Sequence, residues 1–173
     1  SGFTALTERL ATKPNGAELL SRSLNKFFGR FLAEVAFFGG DVVKFSGDAV
    51  TIIWRCDGNN QGEPPASSGR AEIQWTKEQL QLRQAVLQAM RCSEHTHNRL
   101  NRSENELSLH MGLGCGQCHA MHVGGVLQRW EYVVAGQALQ QIALAEPMAE
   151  PGETVLSPEA LLLVQDVAKG ELR

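Results

Sequence analysis

Residues 18–48 constrain the fold of this chain more than any other segment, because they join a helical pattern to a hairpin pattern. Between residues 18 and 38 the apolar residues recur at spacings of three and four, which predicts an amphipathic helix. They are Leu19, Leu20, Leu24, Phe27, Phe28, Phe31, Leu32, Val35 and Phe38. Gly39 and Gly40 then end the helix.

Two runs rich in β-branched and aromatic residues follow, at 41–45 and 49–54. Between them stand Ser46, Gly47 and Asp48, residues typical of a tight turn. The pattern predicts a β-hairpin with Asp48 at its tip.

The rest of the chain alternates between helical and strand patterns. Thr76, with Gln79 three residues later, predicts the start of a second helix. We expect strands at 107–113 and 120–126, paired with each other around Gly112, Gly114 and Gly116, and a third strand at 132–135. A third helix should run from 136 to about 148, followed by a short strand at 154–156 and a helix that begins at 158. This order predicts an α+β fold in which helices cover a largely antiparallel sheet.

Length and composition predict one domain that spans residues 1–173. A chain of 173 residues with 43% hydrophobic residues can bury one sizeable core. The Gly-, Pro- and Ser-rich stretch at about 57–70 is expected to be a flexible loop within it.

Net charge and cysteine content indicate which kinds of partner and which cellular compartment to expect. A formal net charge of −3 gives no general reason for binding to nucleic acid or to a membrane surface. The sequence has no apolar run long enough to span a bilayer. Four cysteines in a chain of this size suit a reducing compartment, so we expect a cytoplasmic protein.

Four segments resemble the class III adenylyl and guanylyl cyclases. They are Ser-Gly-Phe-Thr-Ala-Leu-Thr-Glu at 1–8, Phe-Gly-Gly-Asp-Val-Val-Lys-Phe-Ser-Gly-Asp-Ala at 38–49, Val-Ala-Gly-Gln-Ala at 134–138 and Val-Leu-Ser-Pro at 155–158. Within that family the order and spacing are most similar to the first catalytic domain of the soluble, bicarbonate-responsive adenylyl cyclases. The resemblance implies the class III cyclase fold, with the strand that precedes Ser1 missing from this sequence.

The resemblance also implies a chemistry, the conversion of ATP to cyclic AMP and pyrophosphate at a dimer interface. Asp48 matches one of two aspartates that hold two Mg²⁺ or Mn²⁺ ions in each shared site. Gly47 would let the hairpin tip approach the triphosphate. The backbone amides of Gly2, Phe3 and Thr4, at the start of a helix, would hold its β- and γ-phosphates.

The sequence departs from the family pattern at several positions. The first metal aspartate of the family lies two residues before Ser1, so this sequence holds one metal carboxylate. The transition-state Asn and Arg positions are occupied by Gln140 and Leu144, and leucine cannot donate a hydrogen bond to phosphate. We therefore expect a metal-donating half that needs a second cyclase domain, either as a heterodimer or as an intramolecular pseudo-dimer.

In the family, base selection and regulation depend on further positions, which match Lys44, Val133 and Ala143 here. Lys44 matches one of the purine-selecting pair and fits adenine, whereas the second position falls, less surely, on the apolar Val133. In the soluble adenylyl cyclases a lysine that matches Lys44 binds bicarbonate together with an arginine whose position falls on Ala143. Loss of that guanidinium predicts weak or absent bicarbonate activation.

A rival motif is Cys115-Gly-Gln-Cys118-His119, with His122 as a fourth possible ligand. The spacing matches covalent haem attachment, which needs an export context, and it also suits zinc. His119 and His122 are expected on opposite sides of the chain. Packed or solvent-facing turn residues are the preferred interpretation.

Two classes of function therefore remain open. The first is half of an active adenylyl cyclase. The second is a catalytically silent cyclase-like domain with a structural or nucleotide-sensing role in a larger assembly.

Overall fold

The computed structural model describes residues 2–56, 75–100 and 107–170, and the predicted loop at 57–70 lies outside these ranges. The helices of this part are α1 (Phe3–Ala11), α2 (Gly16–Phe37), α3 (Lys77–Leu100), α4 (Gln137–Ala145) and α5 (Pro158–Val164). Its strands are β1 (Asp41–Ser46), β2 (Ala49–Ile53), β3 (Met111–Leu113), β4 (Cys118–Gly124), β5 (Trp130–Gly136) and β6 (Thr154–Leu156). Short 3₁₀ turns lie at Val126–Gln128 and Glu146–Met148. No described helix combines the length and the apolar character needed to cross a bilayer.

The predicted helices and the predicted hairpin form at the expected places. α3 begins with a reciprocal cap: the Gln79 amide donates to Thr76 Oγ1 at 3.2 Å, and the Thr76 amide donates to Gln79 Oε1 at 2.9 Å. These two bonds satisfy amide donors that the first turn of a helix leaves unpaired. The mixed α+β class is confirmed.

The predicted pairing of 107–113 with 120–126 is wrong. β3 pairs in parallel with β6, and β4 pairs in antiparallel fashion with β5, its neighbour along the chain. The glycines that suggested a turn instead allow the segment of α4 and the turn after it to pack closely against β3. A Cβ on Gly112 would lie 2.6 Å from the Glu146 nitrogen, and one on Gly114 would lie 2.6 Å from the Ala138 carbonyl oxygen.

The core forms two clusters on either side of α3. In the first, the inward face of α2 packs against α1 and the later part of α3. Its buried members are Leu6, Leu10, Phe27, Phe31, Val35, Cys92, Leu100 and Leu107. In the second, Val86 of α3 packs against the inward face of α5 and Cys115. These clusters fix α3 as the centre of the described part.

An ionic cluster joins α2 to α3 just before the hairpin. Glu34, whose side chain is 10% exposed, accepts from Arg99 Nη1 and lies against His95 Nδ1, both at 2.6 Å. Burial alone would raise the pKa of Glu34, but hydrogen bonds and positive charge from Arg99 and His95 outweigh it, so the pKa lies below its ordinary value. The His95 ring also packs edge-on against Phe38, with centroids 5.5 Å apart. The cluster therefore holds the end of α2 from which the hairpin departs.

A second ionic contact attaches the C-terminal end of α5. Arg83 of α3 donates to both carboxylate oxygens of Asp166, at 2.6 and 2.7 Å, and also to the Leu163 carbonyl. The Arg83 hydrogen bonds hold the pKa of Asp166 below its usual range.

The described strands form three separate two-stranded sheets, β1–β2, β3–β6 and β4–β5. A cavity of about 1030 Å³ is bordered by every residue of β2 and of β3. Each of these two strands pairs with a single described strand, so each has one edge without a strand partner in the described part.

Candidate functional site

The turn of the β1–β2 hairpin is two residues long. Ser46 pairs with Ala49, which leaves Gly47 and Asp48 as the turn. Gly47 has φ +65° at the first turn position, and a Cβ there would meet nothing within 4 Å. Backbone conformation rather than space therefore favours glycine at this position.

Asp48 presents its carboxylate at the tip. The residue is exposed, and it makes no hydrogen bond or ion pair with residues in the described ranges. A free carboxylate oxygen is the ligand type that Mg²⁺ and Mn²⁺ prefer. Asp48 thus fits a role as one protein ligand of a hard divalent cation.

The start of α1 offers unpaired amide donors. Gly2 is the N-cap, with φ +90°, and no side chain caps this end. The amide groups of the first turn have no carbonyl partner within the helix, and the helix dipole adds positive potential there. The amides of Gly2, Phe3 and Thr4 are therefore suited to an anion such as phosphate.

One residue of each feature lines the large cavity. Phe3 at the start of α1 and Asp48 at the hairpin tip both line it, as does Ala143 on α4. The other predicted residues, Gly2, Thr4, Lys44, Gly47, Gln140 and Leu144, are not among its lining residues. Lys44 is exposed on β1 opposite Thr51, next to a bulge in the hairpin.

The two predicted transition-state positions lie on the exposed face of helix α4. Gln140 and Leu144 are exposed one turn apart, and Leu144 is 75% exposed. The neighbouring Gln141 faces inward, where its Oε1 accepts from the Cys115 amide at 2.8 Å and from Ser157 Oγ at 2.9 Å. Sequence reasoning missed Gln141, although helical periodicity does place it on a different face from Gln140.

The Cys-x-x-Cys-His segment does not gather into a metal site. Within residues 2–56, 75–100 and 107–170, no three His, Cys, Asp or Glu side chains come together to hold a metal ion. Cys115 is buried, which raises its pKa, whereas Cys118, His119 and His122 lie in β4. His119 and His122 are three residues apart in this strand and so face opposite sides. The segment therefore has one packed cysteine, and its two histidines lie on opposite faces of β4.

Arg55 was also missed at the level of sequence. Its Nη2 donates to Asp41 Oδ2 at 3.2 Å and to the Tyr132 hydroxyl at 3.4 Å. The guanidinium thereby connects both strands of the hairpin, at their base, to β5.

Comparisons with known proteins agree with this geometry. Residues 1–171 match the family described as the adenylate and guanylate cyclase catalytic domain. The chain is 31% identical over 164 residues to adenylate cyclase type 10 of Oryctolagus cuniculus, and 30% identical to the same protein of Homo sapiens. Each match covers 91% of this chain and 9% of the relative, so the chain spans about a tenth of the length of these relatives.

Solved structures share the fold. The adenylyl cyclase CyaB from P. aeruginosa superposes with a TM-score of 0.61 at 22% identity, covering 96% of this chain and 76% of that one. The guanylate cyclase domain of RhGC from Catenaria anguillulae superposes with a TM-score of 0.62 at 14% identity, covering 94% and 76%. Because the family match extends over residues 1–171, this chain belongs to the adenylate and guanylate cyclase catalytic domain family.

Proposed function

We propose that this chain is the metal-donating half of a nucleotide cyclase that converts ATP to cyclic AMP and pyrophosphate. The observation that carries the proposal is the placement of Asp48 and the start of α1 on one cavity. A cation ligand and a helix N-terminus on the border of one cavity suit a metal-bound triphosphate. The name of the curated relatives, adenylate cyclase type 10, supports ATP as the substrate.

In this proposal the residues of the chain bind and orient the reactants. Asp48 would hold the divalent ions, Mg²⁺ or Mn²⁺, and the amides of Gly2, Phe3 and Thr4 would bind the β- and γ-phosphates. Lys44 matches a purine-selecting position that the family places in the other, donor half, and it does not line this cavity. When bound, the two metal ions would stabilise negative charge on the attacking and leaving oxygens.

The reaction is an in-line displacement at the α-phosphorus. The ribose 3′-hydroxyl loses its proton and its oxygen forms a bond to that phosphorus, while the bond to pyrophosphate breaks. Gly47 contributes by letting the tip approach the triphosphate without a side chain in between.

The second carboxylate of the shared site would come from a strand that precedes Ser1. The edges of β2 and β3 that border the cavity have no strand partner among the described residues, so an added strand would find donors and acceptors on both sides. An aspartate on that strand, near the entry to α1, would lie beside Asp48.

The transition-state donors would come from a second cyclase domain. Gln140 and Leu144 stand where the family places an asparagine and an arginine, and Leu144 offers no donor. An apolar surface near the β4–β5 turn supports such a partner, since Val126, Leu127 and Trp130 are 78%, 86% and 61% exposed. We also propose a cytoplasmic location, which the content of four cysteines in 173 residues supports.

The test is a cyclase assay on the full-length protein with Mg²⁺ or Mn²⁺. Asp48→Asn keeps the size and turn preference of the side chain but removes its charge, and we expect activity to fall by roughly 100-fold or more. Glu18→Gln, which removes an exposed carboxylate on α2, is the matched control and should leave activity unchanged. Activity retained by Asp48→Asn would exclude this residue as a metal ligand.

A silent cyclase-like domain is the second candidate, and the exposed Leu144 at the arginine position favours it. It predicts nucleotide binding without turnover by the full-length protein, whatever divalent metal is added. Turnover that depends on Asp48 would eliminate this candidate.

A further inference from the structure

The hairpin that carries Asp48 packs on the first core cluster through partly buried side chains of both strands, although β1 and β2 pair only with each other among the described strands. Near the tip, the Phe45 ring lies edge-on against Phe28 of α2, with centroids 5.7 Å apart. At the base, Trp54 Nε1 donates to the Phe38 carbonyl at 3.0 Å, which ties the end of β2 to the end of α2. The turn itself, at 47–48, is exposed beyond these contacts.

Arg55 supplies a second attachment at the same base. One guanidinium nitrogen reaches Asp41 at the start of β1 and the Tyr132 hydroxyl in β5. Tyr132 in turn packs against His122, its cross-strand neighbour in β4, with ring centroids 5.2 Å apart. A continuous set of contacts therefore runs from both strands of the β4–β5 hairpin to the base of the β1–β2 hairpin.

Asp48 lies at the opposite end of the β1–β2 hairpin from these contacts. Five residue steps separate Asp41 from Ser46, which at about 3.3 Å per residue places the tip about 17 Å from the base. A rotation of about 3° at the base would move the tip by about 0.9 Å, and a misplacement of about 1 Å can cost about 100-fold in rate. A small rotation of the hairpin would therefore be enough to misplace Asp48.

The contacts themselves add little stability. The side chains of Arg55 and Asp41 are 51% and 64% exposed, and exposed ion pairs contribute little to stability. A role in overall folding would therefore be small, which allows a positioning role to be measured separately.

We propose that Arg55 and Tyr132 are positioning residues, through which the β4–β5 hairpin sets the position of Asp48. This inference rests on the proposed function, and it adds a route by which a partner domain on the exposed β4–β5 turn would influence the metal-binding end of the β1–β2 hairpin. It also gives His122 a packing role that the Cys-x-x-Cys-His motif did not suggest.

The test is a double-mutant cycle in the full-length protein. Tyr132→Phe removes only the hydroxyl and keeps the ring on His122, and Arg55→Ala removes the guanidinium. We expect each variant to raise the Mn²⁺ concentration for half-maximal activity by about three- to tenfold, and the double variant to behave like Arg55→Ala, because one link is lost in each case. Arg55→Lys can keep the pair with Asp41 but lacks the guanidinium fork, so it should recover only part of the loss.

Arg22→Ala is the control, since it removes another exposed arginine–carboxylate pair, with Glu18 at 2.9 Å. It should leave the metal dependence unchanged, and the thermal midpoints of all these variants should stay close to that of the wild type. Wild-type metal dependence in Arg55→Ala and Tyr132→Phe, with Asp48→Asn inactive, would overturn the inference and leave the proposed function intact.

Hydrogen exchange at residues 45–51 gives a readout that does not depend on activity. If Asp48→Asn also kept full activity, the proposed function would fail and this measurement would decide the inference alone. Faster exchange at the tip in Arg55→Ala and Tyr132→Phe, but not in Arg22→Ala, supports the link. Unchanged exchange in both variants refutes it.

Discussion

Substitution of Glu34 by glutamine tests whether the ionic cluster between α2 and α3 stabilises the site-bearing end of the fold. Glu34 is 10% exposed and makes two charge-assisted contacts at 2.6 Å, to His95 and to Arg99. Glutamine keeps the volume and one acceptor oxygen but removes the negative charge, so both contacts weaken without a cavity.

The magnitude follows from the exposure of the partners. A hydrogen bond to a charged group contributes about 1.5–3 kcal/mol when both groups are removed from water. The side chains of Arg99 and His95 are 61% and 41% exposed, so they regain water when the carboxylate is lost. We therefore expect a loss of about 2 kcal/mol in the free energy of unfolding, or about 4–8 °C in the thermal midpoint for a domain of this size.

The stabilisation by Glu34 should decrease as the pH falls. The pKa of Glu34 is lower in the folded protein than its ordinary value of 4.5. Its contribution is therefore fully present above that value and is lost as the pH falls through the lower, folded pKa. Thermal unfolding of wild type and Glu34→Gln should differ at neutral pH and converge in acid. Equal midpoints at neutral pH, or a difference that persists in strong acid, would refute this reasoning, and Glu18→Gln should show neither effect.

The remaining predictions concern packing and regulation. Arg83→Ala should lower the free energy of unfolding by about 2–3 kcal/mol, since it breaks the bidentate pair with Asp166 that holds α5, and chemical denaturation would measure the loss. Gly114→Ala should destabilise the folded protein by more than about 1 kcal/mol, because a Cβ there meets the Ala138 carbonyl oxygen. Gly29→Ala, in open space on α2, should stabilise it by about 0.5–1 kcal/mol. Thermal unfolding measures both effects. Bicarbonate titration in the cyclase assay of the full-length protein should give little or no stimulation, because Ala143 stands where the resemblance places an anion-binding arginine, and strong millimolar stimulation would contradict this prediction.

Local signals in the sequence predicted the local structure well. The stripe of apolar residues on α2, the Thr76–Gln79 cap and the Gly47–Asp48 turn each depend on residues within one or two turns of each other. The same holds for β6 at 154–156, which has the predicted bounds.

Contacts between distant residues were harder to predict. β3 pairs with β6, more than forty residues away, and the glycines beside it serve the close approach of α4 rather than a turn. Arg55 and Tyr132 are 77 residues apart, and neither stands in a pattern that marks it as a partner of the other. Periodicity locates such side chains on a face, but only tertiary structure shows which face they meet.

The exposed Leu144 bears on which part of the proposed reaction this chain performs. A leucine that is 75% exposed on α4 buries little apolar surface in the described part, so folding of this chain gives no reason for it at that position. It also cannot replace a guanidinium at a phosphate. Asp48, by contrast, keeps a carboxylate that the fold leaves free to bind a cation. If the proposed function is correct, the chain therefore retains the metal side of the reaction, and the donors that stabilise the transition state belong to the partner domain.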